Sequence, residues 1–383
     1  MLFIGFIIFS LLLLIAYLAL MLHYRYAWRK LPTWHLPNDF SPTTFVSIII
    51  PARDEAENIE ACLQSILAQN YPTSLFEAIV LDDHSTDATP DLVRNIGDER
   101  VRLIPLADFI KADETQSFKK KALEVGIHAA QGSLIVTTDA DCMAQPNWLA
   151  LLVSFYEENG LQFIAAPVNF YQEQSTFERF QSLDFMGMMG IAGAGVQSNW
   201  MRMCNGANLA YEKSLFESVG GFDGIAELAS GDDMLLMQKI AQRSPEKIGY
   251  LKNPNVTTFT PAKPTLSSFI QQRLRWATKS SSYPETWMTI ALATVFLFCC
   301  QIPLSFLLGV FWRTELFIVA IILLIGKAIA DYLLLSEMAT FFQRRDLLRS
   351  FFPAFWMHLI YIIGIGIAAN LKKEYVWKGR KVQ

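Results

Sequence analysis

Two aspartates one residue apart, Asp139 and Asp141, close the apolar run Ser133-Leu-Ile-Val-Thr-Thr138. The run predicts a buried strand, with both carboxylates at its carboxyl end. Like charges this close repel each other unless a cation lies between them, although solvated loop carboxylates are the alternative. A hard divalent ion held by carboxylates can also bind phosphate oxygens. The pair therefore predicts a site for Mg²⁺ or Mn²⁺ and a nucleotide diphosphate, because all-oxygen ligation does not suit Zn²⁺.

Further acidic residues follow the first two predicted strands. Asp54 and Glu55 come after the first strand, and the loop from Asp82 to Asp87 comes after the second. A carboxylate at this place can accept hydrogen bonds from a nucleotide base or a ribose hydroxyl. Helix capping is the alternative, and we favour it for Asp87. Asp83 caps no predicted helix, so we expect it to contact a ligand.

Lys119 begins the predicted helix that precedes the aspartate pair. A bound diphosphate needs positive charge nearby, and a lysine at this place can supply it. A solvated basic surface is the alternative reading, and we expect it for the neighbouring Lys120 and Lys121.

A second acidic pair, Asp232 and Asp233, precedes the predicted helix 234–242. One carboxylate could cap this helix, but two together perturb each other's ionisation in a way that a general base can use. We therefore expect Asp233 to have a catalytic role. Glycine-bearing loops at 205–208 and 220–224 could let the backbone approach a sugar, or they could be ordinary turns.

Alternation of strands and helices predicts how these side chains come together. Apolar runs at 46–50, 78–81, 101–104 and 134–138 predict strands, separated by helical patterns. This alternation is typical of an α/β fold with a parallel sheet. Ligands bind such sheets beyond the carboxyl ends of the strands, where the acidic residues lie.

Apolar segments at both ends of the chain predict membrane helices. The 383 residues are 52% hydrophobic and 18% charged, and the net charge of −4 argues against a general nucleic-acid binder. Four segments have the length of about 20 residues that a bilayer requires; they are 2–22, 288–310, 316–336 and 351–369. Basic residues after the first segment predict a retained anchor and a cytoplasmic catalytic domain. The basic clusters at 344–349 and 372–381 cannot both be cytoplasmic if all three later segments span, so one of these could be re-entrant, near Pro303 or Pro353.

An amphipathic helix is predicted over 265–279, just before the later membrane segments. Its apolar side could lie on the bilayer surface. Its polar side groups Gln272, Arg275 and Trp276, and membrane contact alone does not explain that grouping.

These motifs, in this order, resemble those of family 2 glycosyltransferases with a GT-A catalytic domain, over about residues 45–279. The resemblance implies that Asp139 and Asp141 hold the cation and the nucleotide diphosphate. It implies that the Asp82–Asp87 loop contacts the nucleotide. It also implies that Lys119, three residues before Ala122-Leu123, contacts the diphosphate.

The same resemblance assigns the catalytic base and the acceptor site. The family's Glu-Asp motif is Asp232-Asp233 here, a departure at its first residue, and Asp233 takes the place of the base. Gln272, Arg275 and Trp276 match the Gln-x-x-Arg-Trp motif, which in relatives lies beside the donor and the acceptor. This motif is common in enzymes that build polysaccharides and also occurs in enzymes that glycosylate lipids.

The resulting prediction is an α/β, GT-A nucleotide-diphospho-sugar transferase domain with N- and C-terminal transmembrane helices in the inner membrane. We expect an anchor at 1–24, a catalytic domain at 45–264, an interfacial helix at 265–284, membrane segments at 285–371 and a basic tail at 372–383. The expected enzyme is an inverting hexosyltransferase that uses a nucleotide sugar, with UDP favoured, and a lipid or polyprenyl acceptor. A processive polysaccharide synthase subunit and a non-catalytic nucleotide-binding scaffold are the alternatives.

Overall fold

The computed structural model describes residues 1–110, 117–226, 231–277, 286–371, 375–377 and 380–382. The chain forms two compact units. The helical unit comprises Met1–Lys30, Glu173–Met201 and Lys263–Lys373. The sheet unit comprises Leu31–Gln172, Arg202–Ala262 and Glu374–Gln383.

The helices divide between the two units. In chain order they are α1 (Leu2–Lys30), α2 (Ile59–Leu67), α3 (Thr89–Asn95), α4 (Phe118–Ala129), α5 (Trp148–Asn159), α6 (Thr176–Ser198), α7 (Lys213–Ser218), α8 (Asp232–Ala241), α9 (Leu266–Ala277), α10 (Thr286–Phe311), α11 (Leu316–Phe341) and α12 (Phe351–Leu371). The helical unit contains α1, α6 and α9 to α12, and the others belong to the sheet unit.

Seven strands of the sheet unit form one mixed sheet, in the order β3-β2-β1-β4-β7-β5-β8. In chain order the strands are β1 (Val46–Ala52), β2 (Phe76–Asp82), β3 (Val101–Pro105), β4 (Leu134–Thr137), β5 (Phe163–Ala165), β6 (Val168–Tyr171), β7 (Leu209–Glu212), β8 (Ile248–Tyr250), β9 (Thr258–Pro261), β10 (Tyr375–Trp377) and β11 (Arg380–Val382). The first four sheet strands pair in parallel, as the alternation predicts, whereas β7 pairs antiparallel with β4 and β5. Two smaller sheets join β6 to β9 in parallel and β10 to β11 antiparallel.

The central parallel strands β1, β2 and β4 form because most of their residues are apolar and buried on both faces, whereas β3 is only partly buried. Ile48 pairs with Ala78 of β2 on one side and with Val136 of β4 on the other. All three side chains are fully buried, which is the pattern expected where helices cover both sides of a parallel sheet. One of the predicted helical patterns between the first two strands is α2, whose apolar face packs into this core.

A buried polar network joins the amino-terminal ends of β1, β2 and β4. The Glu77 carboxylate accepts a hydrogen bond from the Ser47 hydroxyl at 2.7 Å and one from the Gln131 amide at 2.8 Å. Gly132 donates its amide to the Ser47 hydroxyl at 2.8 Å. A β-carbon at Gly132 would lie 2.6 Å from the Ser47 nitrogen, so only glycine allows β4 this close to β1. Because the amino-terminal ends of these strands are held together, their carboxyl-terminal ends also lie side by side.

Four helices of the helical unit are long and apolar enough to cross a membrane: Leu2–Lys30, Thr286–Phe311, Leu316–Phe341 and Arg345–Leu371, the last including a short 3₁₀ turn before α12. All four contain the predicted apolar segments. Helix α10 continues through Pro303 without a break, and Pro353 lies in the first turn of α12, where proline is tolerated. Of the predicted basic tail, residues 372–374, 378, 379 and 383 lie outside the described residues, as do 278–284 of the predicted interfacial helix and 285 of the predicted membrane segments.

Helix α6 belongs to the helical unit although its sequence lies within the range predicted for the catalytic domain. Its glycines allow close helix packing: a β-carbon at Gly190 would lie 2.3 Å from the Met338 sulfur of α11. Such small residues are the usual means by which helices approach closely in a membrane. The predicted domain boundaries stay a prediction.

Candidate active site

Two acidic residues hold the loops after β1 and β2 together. The Asp54 carboxylate accepts a hydrogen bond from the Thr86 amide at 2.7 Å. In return, the Asp87 carboxylate accepts hydrogen bonds from the amides of Ala56 and Thr89, both at 3.0 Å. Asp87 lies one residue before Ala88, the N-cap of α3, so it is not the cap itself, although its carboxylate accepts from the first amide of the helix. Asp54 and Asp87 therefore shape the cleft by joining its two loops.

The remaining acidic residues of these loops differ in their surroundings. Asp82 and Asp83 are buried, and within the described part of the chain no hydrogen-bond partner meets the Asp82 Oδ1 atom. Asp83 lies 3.0 Å from the His84 Nδ1 atom and 3.8 Å from the Arg53 guanidinium. The Glu55 carboxylate accepts a hydrogen bond from the Asn58 side chain at 3.1 Å. An unsatisfied buried carboxylate oxygen is costly, so Asp82 is the residue of this group most in need of a ligand donor.

The aspartate pair lies at the carboxyl end of β4. The Cys142 amide donates to the Asp139 carbonyl at 3.0 Å and closes a tight turn. One ligand atom each from Asp139, Asp141 and Cys142 lies within 4.8 Å of the others. Burial raises the pKa of the Cys142 thiol, and the neighbouring carboxylates raise it further. The thiol therefore stays protonated, and two carboxylates remain as the oxygen donors that suit Mg²⁺ or Mn²⁺.

Lys119 connects the two acidic pairs. Its ammonium donates to the Asp139 Oδ1 atom at 2.6 Å and lies 3.7 Å from the Asp232 Oδ2 atom. Burial alone would lower the pKa of Lys119, but the carboxylates of Asp139 and Asp232 raise it above its usual range. The lysine is therefore a permanent positive charge at the centre of the acidic cluster. By contrast, Lys121 pairs with Glu124 on its own helix. The solvated surface predicted for Lys120 is wrong, because Lys120 is buried and donates to the Ile225 carbonyl.

Asp233 is oriented by two backbone amides. Its Oδ2 atom accepts a hydrogen bond from the Gly206 amide at 2.9 Å, and its Oδ1 atom accepts one from the Met234 amide at 2.7 Å. Gly206 is fixed in turn, because its carbonyl accepts a hydrogen bond from the Thr137 hydroxyl of β4 at 2.8 Å. Helix α8 begins at Asp232, directly after Gly231, whose left-handed backbone has φ 84°. This arrangement positions the second acidic pair beside the end of β4.

Within the loop 205–208, Gly206 lies at the candidate site, whereas Asn208 lies in the core. Gly206 contacts the second acidic pair, and a β-carbon there would lie 3.3 Å from the Asp232 Oδ2 atom. Asn208 is fully buried, and its side chain donates to the carbonyls of Pro167 and Val256 and accepts from Trp148. The role of Gly206 in holding Asp233 is a feature that sequence reasoning missed, although the loop itself stood out.

The Gln-x-x-Arg-Trp motif lies on α9, in the helical unit. The ring of Trp276 stacks on Phe185 of α6, with ring centroids 5.8 Å apart. The Arg273 guanidinium lies 4.4 Å from the centroid of the Trp276 ring. The Gln272 Oε1 atom is buried and meets no hydrogen-bond partner among the described residues, and Arg275 is partly buried. Sequence reasoning did not single out Arg273, because it stands at a variable position of the motif.

The sheet unit thus brings five predicted residues together beside the carboxyl-terminal end of β4: Asp139, Asp141, Lys119, Asp232 and Asp233. Asp54, Asp82 and Asp83 line the two neighbouring loops, with Glu55 beside them. Such a cluster, acidic with one lysine at its centre, can bind a cation and a diphosphate and can accept a proton.

Comparisons with known proteins identify the family of the chain. Residues 47–220 match the family model described as glycosyl transferase family 2, and residues 134–368, more than half of the chain, match that described as glycosyl transferase family group 2. Glycosyltransferase AglE of Haloferax volcanii is 32% identical over 197 residues, which are 51% of this chain and 60% of that protein. The UDP-Glc:alpha-D-GlcNAc-diphosphoundecaprenol beta-1,3-glucosyltransferase WfgD of Escherichia coli is 26% identical over 39% of this chain and 57% of its own length. The chain thus spans about 60% of the length of these relatives.

A solved structure shares the fold. The mannosyltransferase PcManGT from Pyrobaculum calidifontis, in complex with GDP-Man and Mn²⁺, superposes with a TM-score of 0.56 at 21% identity. The match covers 96% of this chain and 99% of that chain. It confirms the predicted GT-A fold. Together with the two family models, these findings show that the chain belongs to the family 2 glycosyltransferases.

Proposed function

We propose that the chain transfers a hexosyl group, with inversion, from a nucleotide-diphosphate sugar to a lipid-linked acceptor at the cytoplasmic face of the inner membrane. One observation carries the proposal: Lys119 lies between the acidic pairs Asp139/Asp141 and Asp232/Asp233 at the carboxyl-terminal ends of the sheet strands. The described part of the chain also has four helices able to span a membrane.

The donor diphosphate would bind between the Lys119 ammonium and the carboxylates of Asp139 and Asp141. These two carboxylates would hold Mg²⁺ or Mn²⁺, which supplies positive charge to the leaving diphosphate when bound. Asp82, with one buried oxygen unpaired among the described residues, would accept a hydrogen bond from the nucleotide. UDP is the favoured nucleotide from the motif resemblance, and the name of WfgD, a relative at 26% identity, also includes UDP-Glc.

Asp233 would act as the general base. An acceptor hydroxyl attacks the anomeric carbon from the face opposite the diphosphate, the bond to the diphosphate oxygen breaks, and Asp233 takes the hydroxyl proton. The amides of Gly206 and Met234 hold its carboxylate in one orientation. A base that is already oriented loses little entropy on reaching the transition state.

Three features support a lipid-linked acceptor. The chain has an extensive apolar helical unit, and the name of WfgD includes a diphosphoundecaprenol acceptor. The glycine- and methionine-bearing helix α6 belongs to the helical unit together with the motif helix α9, and methionine-rich surfaces adapt to flexible chains.

The basic residues Arg25, Arg29 and Lys30 after the first apolar segment support a cytoplasmic catalytic domain.

The test incubates purified full-length protein in lipid vesicles with radiolabelled UDP- and GDP-sugars, a polyprenyl-diphosphate-linked sugar as the hydroxyl acceptor, and Mg²⁺ or Mn²⁺. A discrete product that is extracted into organic solvent and requires the cation supports the proposal. A ladder of polymer products would instead identify a polysaccharide synthase, which the Gln-x-x-Arg-Trp motif also allows. The Asp233→Asn variant is the control for catalysis: undiminished transfer would show that Asp233 is not the base. No transfer by the purified wild-type protein with any donor would favour the scaffold alternative.

A further inference from the structure

A chain of buried charges runs through the helical unit and ends at the motif helix α9. The Arg273 guanidinium forms an ion pair with Asp184 of α6 at 2.9 Å, and both side chains are at most 5% exposed. His358 of α12 lies 3.8 Å from Asp184 through its Nε2 atom and 3.2 Å from the Lys327 ammonium through its Nδ1 atom. Lys327 of α11 is paired in turn with Asp331.

The chain of contacts extends to the first helix, because the Tyr17 hydroxyl of α1 donates to the Asp331 carboxylate. Two cations and two anions alternate along it, so the buried charge is balanced. Since the Lys327 ammonium can only donate, the Nδ1 atom of His358 accepts, which leaves the Nε2–H to face Asp184. We call Arg273, Asp184, His358, Lys327, Asp331 and Tyr17 the buried charge network.

Arg273 also holds the motif tryptophan directly. Its guanidinium lies 4.4 Å from the ring centroid of Trp276, 4.8 Å from that of Phe269 and 5.8 Å from that of Tyr361. Within the described part of the chain, its nitrogens have no hydrogen bond of good geometry. The ion pair with Asp184 and the aromatic faces therefore hold the guanidinium. Because Phe185 stacks on the Trp276 ring as well, the tryptophan has contacts from both α6 and α9.

Asp184 is the point where three helices meet at this network. It accepts a hydrogen bond from the Tyr361 hydroxyl of α12 at 3.0 Å, beside its ion pair with Arg273. Replacing a buried ion pair by apolar residues often leaves stability unchanged or improves it, so such a pair is weak evidence for a stabilising role. Its geometry, which joins α9 to α6 and α12 at a single carboxylate, instead suits a role in fixing position.

We infer that Arg273 is a positioning residue: with Asp184 it fixes Trp276 and the orientation of α9, and so presents the Gln-x-x-Arg-Trp side chains for sugar transfer. This inference rests on the proposed function for its effect on catalysis. Its structural half, the immobilisation of α9 by Arg273, is independent of any activity.

The experiment compares Arg273→Gln and Asp184→Asn with Arg344→Gln in the full chain. Arg344 is a matched control because it pairs with the buried Glu173 at 2.8 Å in the same helical unit. Its other ion pair within the described part of the chain is with Asp346, which lies outside α9. Hydrogen exchange measured by mass spectrometry reports the opening of 266–277, and steady-state kinetics with the best nucleotide sugar report kcat and the donor KM.

Both network variants should speed amide exchange in α9 by roughly tenfold or more and lower kcat by about 10- to 100-fold, with little change in the donor KM. The Arg344→Gln variant should do neither. If a network variant does not fold, Tyr361→Phe removes a single hydrogen bond to Asp184 and should give the same pattern at about fivefold.

Unchanged exchange in α9, or equal effects of the Arg344→Gln control, would overturn the positioning role. Faster α9 exchange in a protein that shows no sugar transfer with any donor would support the immobilisation of α9 while refuting the proposed function. The two failures are therefore distinguishable.

Discussion

Replacement of Lys119 by methionine should change cation binding and nucleotide binding in opposite directions. The Lys119 ammonium is bound to Asp139 at 2.6 Å, so it occupies a carboxylate that the proposed divalent cation would need. Under the proposed function, the same ammonium would pair with a bound diphosphate. We therefore expect Lys119→Met to bind Mn²⁺ more tightly in the absence of nucleotide, and to bind nucleoside diphosphate more weakly.

The size of the effect on Mn²⁺ affinity follows from the Coulomb energy of the Lys119–Asp139 ion pair, which a cation at Asp139 would have to displace. Two unit charges about 4 Å apart interact by about 4 kcal/mol at an effective dielectric constant near 20. Asp139 is 38% exposed, so solvent screening reduces the figure, to about 2 kcal/mol. That energy corresponds to a roughly 30-fold lower dissociation constant for Mn²⁺.

Titration calorimetry of the detergent-solubilised protein measures both affinities. Lys121→Met is the matched control, because Lys121 lies on the same helix and pairs with Glu124 rather than with the aspartates. If Lys119→Met binds Mn²⁺ no more tightly than wild type, or behaves like Lys121→Met, Lys119 does not occupy the cation site as reasoned here.

Three further outcomes are expected. Asp233→Asn should lower kcat by about 10²- to 10⁴-fold while donor binding is kept, as measured by initial rates and calorimetry. Gly132→Ala should lower the free energy of unfolding by about 1–3 kcal/mol, since its β-carbon would overlap the Ser47 backbone, whereas Gly364→Ala, with open space around it, should cost less than about 1 kcal/mol. Lys327→Met should destabilise the protein by about 3–5 kcal/mol by leaving Asp331 unpaired, and Asp331→Leu in the same chain should restore most of the loss, as thermal unfolding in detergent would show.

Sequence patterns predicted the elements that have a strong local signal. Strands β1 to β4 contain short apolar runs, and the four described helices that could cross a membrane stand out by their apolar length. The antiparallel strand β7 was not predicted, because its four residues, Leu209–Glu212, have no clear alternation. Its place in the sheet depends on pairing with β4 and β5, which local sequence does not encode.

The candidate site shows the same division. The acidic residues could be located from their positions after the strands, and the resemblance assigned Lys119 to the diphosphate. The contact of Asp233 with the Gly206 amide joins residues 27 positions apart, and the pair of Arg273 with Asp184 joins two different helices. Neither has a spacing that a pattern could detect, because both arise from tertiary packing. The same packing places the carboxylates of Asp54 and Asp87 in hydrogen bonds that join the loops after β1 and β2.

The proposed function depends on a divalent cation that Asp139 and Asp141 hold and that joins the protein to the diphosphate of a sugar nucleotide. Calorimetric titration of UDP and GDP, with Mn²⁺ and with a chelator, into wild type, Asp139→Asn and Asp141→Asn tests it most directly. Tight binding should require the cation and both carboxylates. Equal nucleotide binding in the chelator, or in either asparagine variant, would contradict the account.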